Sequence, residues 1–275
     1  MNELDFKFLL EKIHRNKGVD FSSYRSNTLK RRIDARLRDV GCKDYSDYVV
    51  YLNENMQEYD KLIEELTINV TEFFRNPESF AVLGEKIIPE IIEAKRKLGK
   101  KNIRAWSAGS SFGEETYSIA VLFMEALKDK IPDFDIVVYG TDIDPACVEK
   151  AKLGVYNEKS LKEINSEMLK KYFSKQADNY IVNENVKRLA RFKTHNLVSD
   201  EFLQNIDLIL CRNVVIYFSK PLQERVYLNF YRVLNKDGFL MLGKVESLWG
   251  LAQKYFSAVD NRERVYRKIS NNLHL

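Results

Sequence analysis

The stretch WSAGSSFGEE, residues 106–115, constrains the chain more than any other. It reads as the end of a strand, a tight turn of small residues and the first turn of a buried helix. Gly109 and Gly113 bracket the turn, where small side chains let a ligand approach the backbone. Glu114 and Glu115 then open the helix. Carboxylates there favour the helix dipole but repel a pyrophosphate, so the turn suits a ligand with hydroxyls or positive charge better than a dinucleotide. A turn of this kind is also a common tight connection, so by itself it leaves binding open.

From Asn102 onward strands and helices alternate. Residues 103–107 read as a strand, 114–127 as a helix and 135–141 as a second strand, which ends in Asp142-Ile-Asp144 before Pro145 starts another helix. That rhythm specifies an α/β fold with a parallel sheet and crossover helices. An acid ending the second strand, soon after a glycine-rich first turn, stands where open α/β sheets hold a ribose. Asp142 can accept from both hydroxyls of a diol, or it can cap the next helix. Residues 154 to about 190 interrupt the rhythm and read as an insertion. In it, Leu161, Ile164, Met168, Leu169 and Tyr172 suggest a short helix, and 180–182 with 186–192 a hairpin around residues 183–185. The sheet resumes at 191–197 and 206–213, followed by a helix over 220–234, a strand over 239–243 and an antiparallel pair near the C-terminus.

The first 66 residues or so read as helices, with the stripes Leu4, Phe8, Leu9, Ile13, then Leu29, Ile33, Leu37, Val40, then Tyr45, Tyr48, Val49, Leu52. Gly41 is a stop for the second helix. That helix carries Lys30, Arg31, Arg32, Arg36 and Arg38 with Asp34 as the only acid among them. Helical geometry turns Arg31 and Arg38 opposite the apolar stripe and leaves Arg32 and Arg36 flanking it. This is either a solvated face or a docking surface for an acidic partner. Residues 67–80 break the pattern, and Pro77 fits a first helical turn with Asn76 as its cap. The joint between two domains falls near Asn69, giving an all-helical domain over 1–68 and an α/β domain over 69–275.

At 275 residues and 45% hydrophobic content the chain can bury the cores of two domains. Its net charge of +4 is too modest to indicate nucleic acid as a partner. Cys42, Cys147 and Cys211 have neither disulfide nor zinc spacing and fit a reducing cytoplasm. Scattered histidines (His14, His195 and His274) make a histidine metal centre or triad hard to build, so no metal is expected. The N-terminus lacks a signal-peptide core, and no apolar run is long enough to span a bilayer.

Five motifs occur in order: LTINVTEFFR at 66–75, WSAGSSFGEE at 106–115, Asp142-Ile-Asp144, LCRNVVIYF at 210–218 and LGKVESL at 242–248. Together they resemble the CheR family of chemotaxis receptor methyltransferases, and the resemblance covers essentially the whole chain. It implies a small all-α N-terminal domain that recognises receptors. It further implies a Rossmann-like class I S-adenosylmethionine-dependent methyltransferase domain with a small inserted β-subdomain. The implied reaction carries a methyl group from S-adenosylmethionine to glutamate side chains of chemoreceptors, leaving a glutamyl methyl ester and S-adenosylhomocysteine. By resemblance the cofactor contacts fall on Asn69, Thr71, Arg75, Glu115, Asp142, Asn196, Leu197, Arg212 and Asn213, with Arg75 and Tyr217 closest to the transferred methyl. Arg31, Arg32, Arg36 and Arg38 would meet the receptor's cytoplasmic helical methylation region. The segment FSKQADNY at 173–180 is short and lacks glycine, which resembles members that need no C-terminal pentapeptide on the receptor. The expected protein is a cytoplasmic monomer without membrane insertion.

The chemistry agrees with this composition. A glutamate carboxylate titrates near 4.3 and is already ionised at neutral pH, so the acceptor needs no general base. What the protein must supply is alignment and a dry site. Two other readings stay open: a non-catalytic S-adenosylmethionine-binding regulatory module, and a methyltransferase of another carboxylate substrate. An NAD-dependent dehydrogenase is more distant, because the loop lacks the third glycine and carries two acids.

Overall fold

A computed structural model describes residues 2–22, 24–67 and 69–269. His274 lies outside the described residues. Contacts divide the chain into two units, Met1–Asn69 with Ile216–Gln223, and Val70–Val215 with Glu224–Leu275.

Among the described residues the first unit holds four α-helices: α1 (Glu3–Lys17), α2 (Ser26–Val40), α3 (Tyr45–Glu54) and α4 (Glu58–Leu66). Asn2 caps α1 through Leu4 N, Asp44 caps α3 through Asp47 N, and Gly41 ends α2 in a left-handed conformation. The buried face of α1 is Phe6, Leu9, Leu10 and Ile13, whereas Leu4 and Phe8 are exposed, at 73% and 54%. The stripe read from the sequence was therefore turned too far around α1. Spacing alone could not separate two overlapping faces that share Leu9 and Ile13. The other two stripes are buried as expected, except that Val40 is half-buried.

Glu58, at the start of α4, is 3% exposed and gathers this unit together. Its Oε1 accepts from Arg36 Nε at 2.9 Å, Arg36 Nη2 at 2.6 Å and the Tyr48 hydroxyl at 3.0 Å. The returning segment joins the unit as a short bridge between Tyr24 and Phe218, whose rings meet edge to face at 4.9 Å. Arg25 N donates to the Tyr217 carbonyl at 2.8 Å.

The second unit starts with α5 (Pro77–Val82), a π-helical turn at Leu83–Ile87, and α6 (Ile88–Lys97). Then come β1 (Asn102–Ala108), α7 (Glu114–Leu127), β2 (Asp135–Asp142) and α8 (Pro145–Leu153). The insertion supplies β3 (Val155–Asn157), α9 (Ser166–Tyr172), β4 (Phe173–Gln176), β5 (Asn179–Val182) and the single turn α10 (Glu184–Lys187). The chain returns through β6 (Ala190–Thr194), β7 (Ile206–Cys211), α11 (Lys220–Val233), β8 (Leu234–Leu242), β9 (Phe256–Asp260) and β10 (Val265–Lys268).

Seven strands form one sheet in the order β6-β2-β1-β7-β8-β10-β9. β6, β2, β1, β7 and β8 run parallel, and β10 is antiparallel to both of its neighbours. β7 is buried at every position, as a central parallel strand covered on both faces must be. The chain steps outward from β1 to β2 and β6, then returns to the other side of β1 as β7. That reversal makes a topological switch point at the carboxyl ends of β1 and β7, the place where open α/β sheets bind ligands.

The inserted β-subdomain is a three-stranded antiparallel sheet in the order β3-β5-β4. The hairpin expected around residues 183–185 is not there. β5 pairs with β4 across a turn at Ala177 (φ 51°), while 184–187 is helical and 190–194 joins the main sheet beside β2. Val186 is 0% exposed, so its apolar run is a buried turn and edge strand rather than half a hairpin.

Candidate functional site

Five loops leave the carboxyl ends of the parallel strands, and most of the residues expected at the cofactor sit on them. The loop after β1 turns through Gly109 (φ 80°), Ser111 (φ 50°) and Gly113 (φ 92°). Gly109 N and Ser110 N both donate to the Thr141 carbonyl at 2.8 Å, which fastens the turn to the end of β2. A Cβ on Gly109 would lie 2.4 Å from Val214 Cγ2, and one on Gly113 2.8 Å from the Ala151 Cβ. The missing side chains thus make room for the protein's own packing, where the sequence suggested room for a ligand.

The two acids that follow have separate tasks. Glu115 Oε1 accepts from Ser107 Oγ at 2.7 Å, and Oε2 pairs with Arg212 Nη1 at 3.3 Å. Glu114 is 2% exposed, and its Oε2 has no hydrogen-bond partner. Burial pushes its carboxyl up to about 7, against its own backbone N–H and the Ser160 hydroxyl, which favour the charged form. Only Glu115 is ion-paired to Arg212, from the loop after β7.

Asp142 ends β2 and ties the loops together. Its Oδ2 accepts from Ser111 N at 2.8 Å and its Oδ1 from Asp144 N at 3.1 Å. Capping of α8 falls instead to Asp144, which accepts from Ala146 N at 2.8 Å. Burial raises the Asp142 carboxyl to about 6, opposed by those backbone N–H bonds. Each oxygen retains acceptor capacity beyond the bond it makes.

After β6, Asn196 and Leu197 are buried. Asn196 Oδ1 accepts from Val198 N at 2.8 Å, while its Nδ2 has no partner. The neighbouring His195 places Nε2 3.1 Å from the Glu201 carbonyl and its ring edge-on to Trp106. Burial lowers its pKa.

Arg212, after β7, is 6% exposed. Besides Glu115, its Nη2 donates to the Arg75 carbonyl and to Asn76 Oδ1, both at 2.8 Å, and Nε has no partner. The guanidinium therefore binds mainly to the protein and sets Glu115 against the Arg75 turn. It also explains Asn76, whose side chain points to Arg212 and does not cap α5. Arg75 itself donates from Nη1 to the Val70 carbonyl at 2.7 Å. Thr71 is half-buried in the same loop.

Glu246 was within a recognised motif but had no expected task. Its Oε2 accepts from Asn213 N at 2.9 Å and Gly243 N at 2.7 Å, and its Oε1 from Val214 N at 3.0 Å. One buried carboxylate thus joins the loops after β7 and β8. Asn213 has φ 60°, and a Cβ on Gly243 would come within 2.7 Å of Glu246 Oε2. A lone glutamate in a loop gives no sequence signal of the three amides it will meet.

Asn69 and Tyr217 belong to the helical unit. Asn69 Nδ2 donates to Thr67 Oγ1 at 3.3 Å, and Tyr217 lies in a 3-10 turn over Val215–Tyr217. In the same unit the four arginines of α2 divide. Arg36 is bound to Glu58, Arg32 Nη1 donates to the Glu65 carbonyl, and only Arg31 and Arg38 are exposed. Arg32 and Arg36, the flanking positions, thus turn to partners within the unit, Arg36 to the buried Glu58 and Arg32 to the half-buried Glu65.

Within the α/β unit, the strand ends present a carboxylate at β2 and a carboxylate held rigidly at the start of α7. Buried polar atoms there without a hydrogen-bond partner include Ser110 Oγ, Glu114 Oε2, His195 Nδ1, Asn196 Nδ2 and Arg212 Nε. Orphaned buried polar atoms are costly and rare, and their gathering at the strand ends suits a polar ligand. A nucleoside with a free diol and an attached amino acid fits this set. Among the described residues no helix is long and apolar enough to cross a membrane.

Comparison with known proteins agrees with that fit. The CheR methyltransferase SAM binding domain matches residues 69–265, and the CheR methyltransferase all-alpha domain matches residues 4–67. A chemotaxis protein methyltransferase of Listeria innocua is 30% identical over 259 residues, 94% of this chain and 96% of the relative. One from Salmonella typhimurium is 31% identical over 265 residues, 93% of this chain and 88% of the relative. An uncharacterised 104.1 kDa protein of Rhodobacter capsulatus is 32% identical over 251 residues, where the chain spans only 26% of the relative's length. Both domains and the order of the strand-end loops lead to one conclusion: the chain belongs to the CheR methyltransferase family and is an S-adenosylmethionine-dependent methyltransferase.

Proposed function

We propose that the protein methylates glutamate side chains in the cytoplasmic helical region of chemoreceptors. The observation that carries this reading is the match to chemotaxis protein methyltransferases along more than nine-tenths of the chain, through the recognition domain as well as the catalytic one. Bound at the strand ends, S-adenosylmethionine supplies an electrophilic methyl on a sulfonium, which passes to a carboxylate oxygen in line, leaving S-adenosylhomocysteine and a methyl ester.

The chain's own residues then hold and orient. Asp142 accepts from the ribose hydroxyls, and Asn196 offers Nδ2 to the base while Leu197 packs against it. Glu115, fixed by Ser107 and Arg212, receives the cofactor's ammonium, and Asn213 lines the same end with Arg212. Asn69 and Thr71 contribute from the segment joining the domains. Arg75 forks a carboxylate, and Tyr217 orients the acceptor. No residue has to take a proton, because the acceptor is already ionised. Holding oxygen, methyl and sulfur in line is the main contribution, worth up to roughly 7–11 kcal/mol in favourable systems. On the helical domain of residues 1–68, Arg31 and Arg38 face the acidic receptor helices. The short β4–β5 turn fits action without a receptor pentapeptide, and a cytoplasmic monomer suffices for all of these steps.

Mass spectrometry of receptor peptides after incubation with enzyme and cofactor tests this reading. The expected product is a methyl ester on glutamates of the methylation helices. Methyl groups on lysine or only on small molecules would overturn it.

A further inference from the structure

Arg75 follows a residue in a strained backbone conformation. Phe74 has φ 52°, a region that residues with bulky side chains rarely enter, whereas Asn76, at φ 62°, is of a type that enters it readily. Such strain persists only where surrounding contacts over-determine it. Here they are identifiable. Arg212 binds the Arg75 carbonyl and the Asn76 side chain, both at 2.8 Å. Phe73 N donates to the Ser160 carbonyl at 2.9 Å, and the Phe73 ring lies edge-on to Tyr156 and Phe173. On the strained residue itself, Phe74 N donates to Ser118 Oγ at 3.0 Å, and the Ser118 hydroxyl donates to the Glu114 carbonyl at 2.7 Å.

Ser118 is 0% exposed and sits one turn into α7. A serine inside a helix commonly turns its hydroxyl to the carbonyl four residues back. Here that leaves the oxygen's lone pairs free to accept from an amide whose residue is in a costly conformation. The same helical turn carries Glu115. Ser118 thus registers the residue presenting Arg75 against the helix presenting the cofactor's carboxylate partner.

From this we propose that Ser118 is a positioning residue for methyl transfer, acting through Phe74 to fix the direction of the Arg75 side chain. The proposal rests on the reading that Arg75 grips a carboxylate in the reaction. Without the Ser118 oxygen, Phe74 N has no acceptor and the turn can relax out of its left-handed conformation. Misplacement of about 1 Å at such a group can cost on the order of 10²-fold in rate.

The test uses the full chain with labelled cofactor and receptor-containing membranes. Turnover is measured for Ser118→Ala, Ser118→Cys and Arg75→Ala, with cofactor affinity from calorimetry. Expected is a graded loss of kcat, with Ser118→Cys intermediate and Ser118→Ala reduced about 10–10²-fold, at a cofactor Kd within about two-fold of wild type. Wild-type kcat in Ser118→Ala overturns the proposal, as does a loss explained by weaker cofactor binding. Should Ser118→Ala not fold, wild-type kcat in Ser118→Cys overturns it equally. Wild-type turnover in Arg75→Ala is a different failure: it removes the reading of Arg75 itself.

Discussion

Glu114 and Glu115 are adjacent in sequence, yet burial holds the first carboxyl at about 7 while Ser107 and Arg212 bind the second. The sign of the Glu114 effect follows from the direction of its shift. An exposed glutamate in the unfolded chain ionises first as pH rises, so the folded state loses relative stability between about 4.5 and 7 and the loss then levels off. At about 1.4 kcal/mol per pKa unit this amounts to about 3 kcal/mol. Glu114→Gln should therefore gain stability relative to wild type as pH rises from 5 to 8, by denaturant midpoints taken across that range. An unchanged difference between the two proteins would show that Glu114 is hydrated and not buried.

At the level of elements, α2 and the loops after β7 and β8 give opposing lessons about charged side chains. Arg36 reaches a buried carboxylate, so Arg36→Ala leaves Glu58 uncompensated and should cost about 3–5 kcal/mol of stability, read from chemical denaturation. Arg31→Glu with Arg38→Glu should change stability little, since both are exposed. It should raise the KM for receptor and flatten its dependence on salt. A KM indifferent to the reversal would make that face a solvated one. Glu246 accepts three backbone N–H bonds, each charge-assisted, and its removal strands the amides of Asn213, Val214 and Gly243. Glu246→Ala should lower the thermal midpoint by several degrees and weaken cofactor binding, both measurable by scanning and titration calorimetry. Intact binding would separate that loop from the cofactor.

Across the molecule, the parallel sheet, its insertion and the acid after β2 were legible because they depend on short-range patterns: period, turn residues, and a strand end followed by a helix start. The α1 face, the false hairpin at 183–185 and the tasks of Arg36, Ser118 and Glu246 were not. Each is decided by a partner far away in sequence: Arg36 by Glu58, Ser118 by Phe74, Glu246 by Asn213. The glycine loop was visible, but the reason for its glycines was Val214 and Ala151, also distant. Motifs placed Asp142 at the end of its strand, where a group's type and position suffice. Where a group's setting decides, as with Glu114 against Glu115, burial had to be seen.

We propose that this site transfers a methyl group to a carboxylate. The most direct test is to incubate the protein with methyl-labelled S-adenosylmethionine and receptor-containing membranes, then treat the labelled receptor with mild base and collect volatile radioactivity. An ester releases its label as methanol, and the account predicts that nearly all of the incorporated label leaves this way. Label that stays on the protein through base would mark an N-methyl product and contradict it.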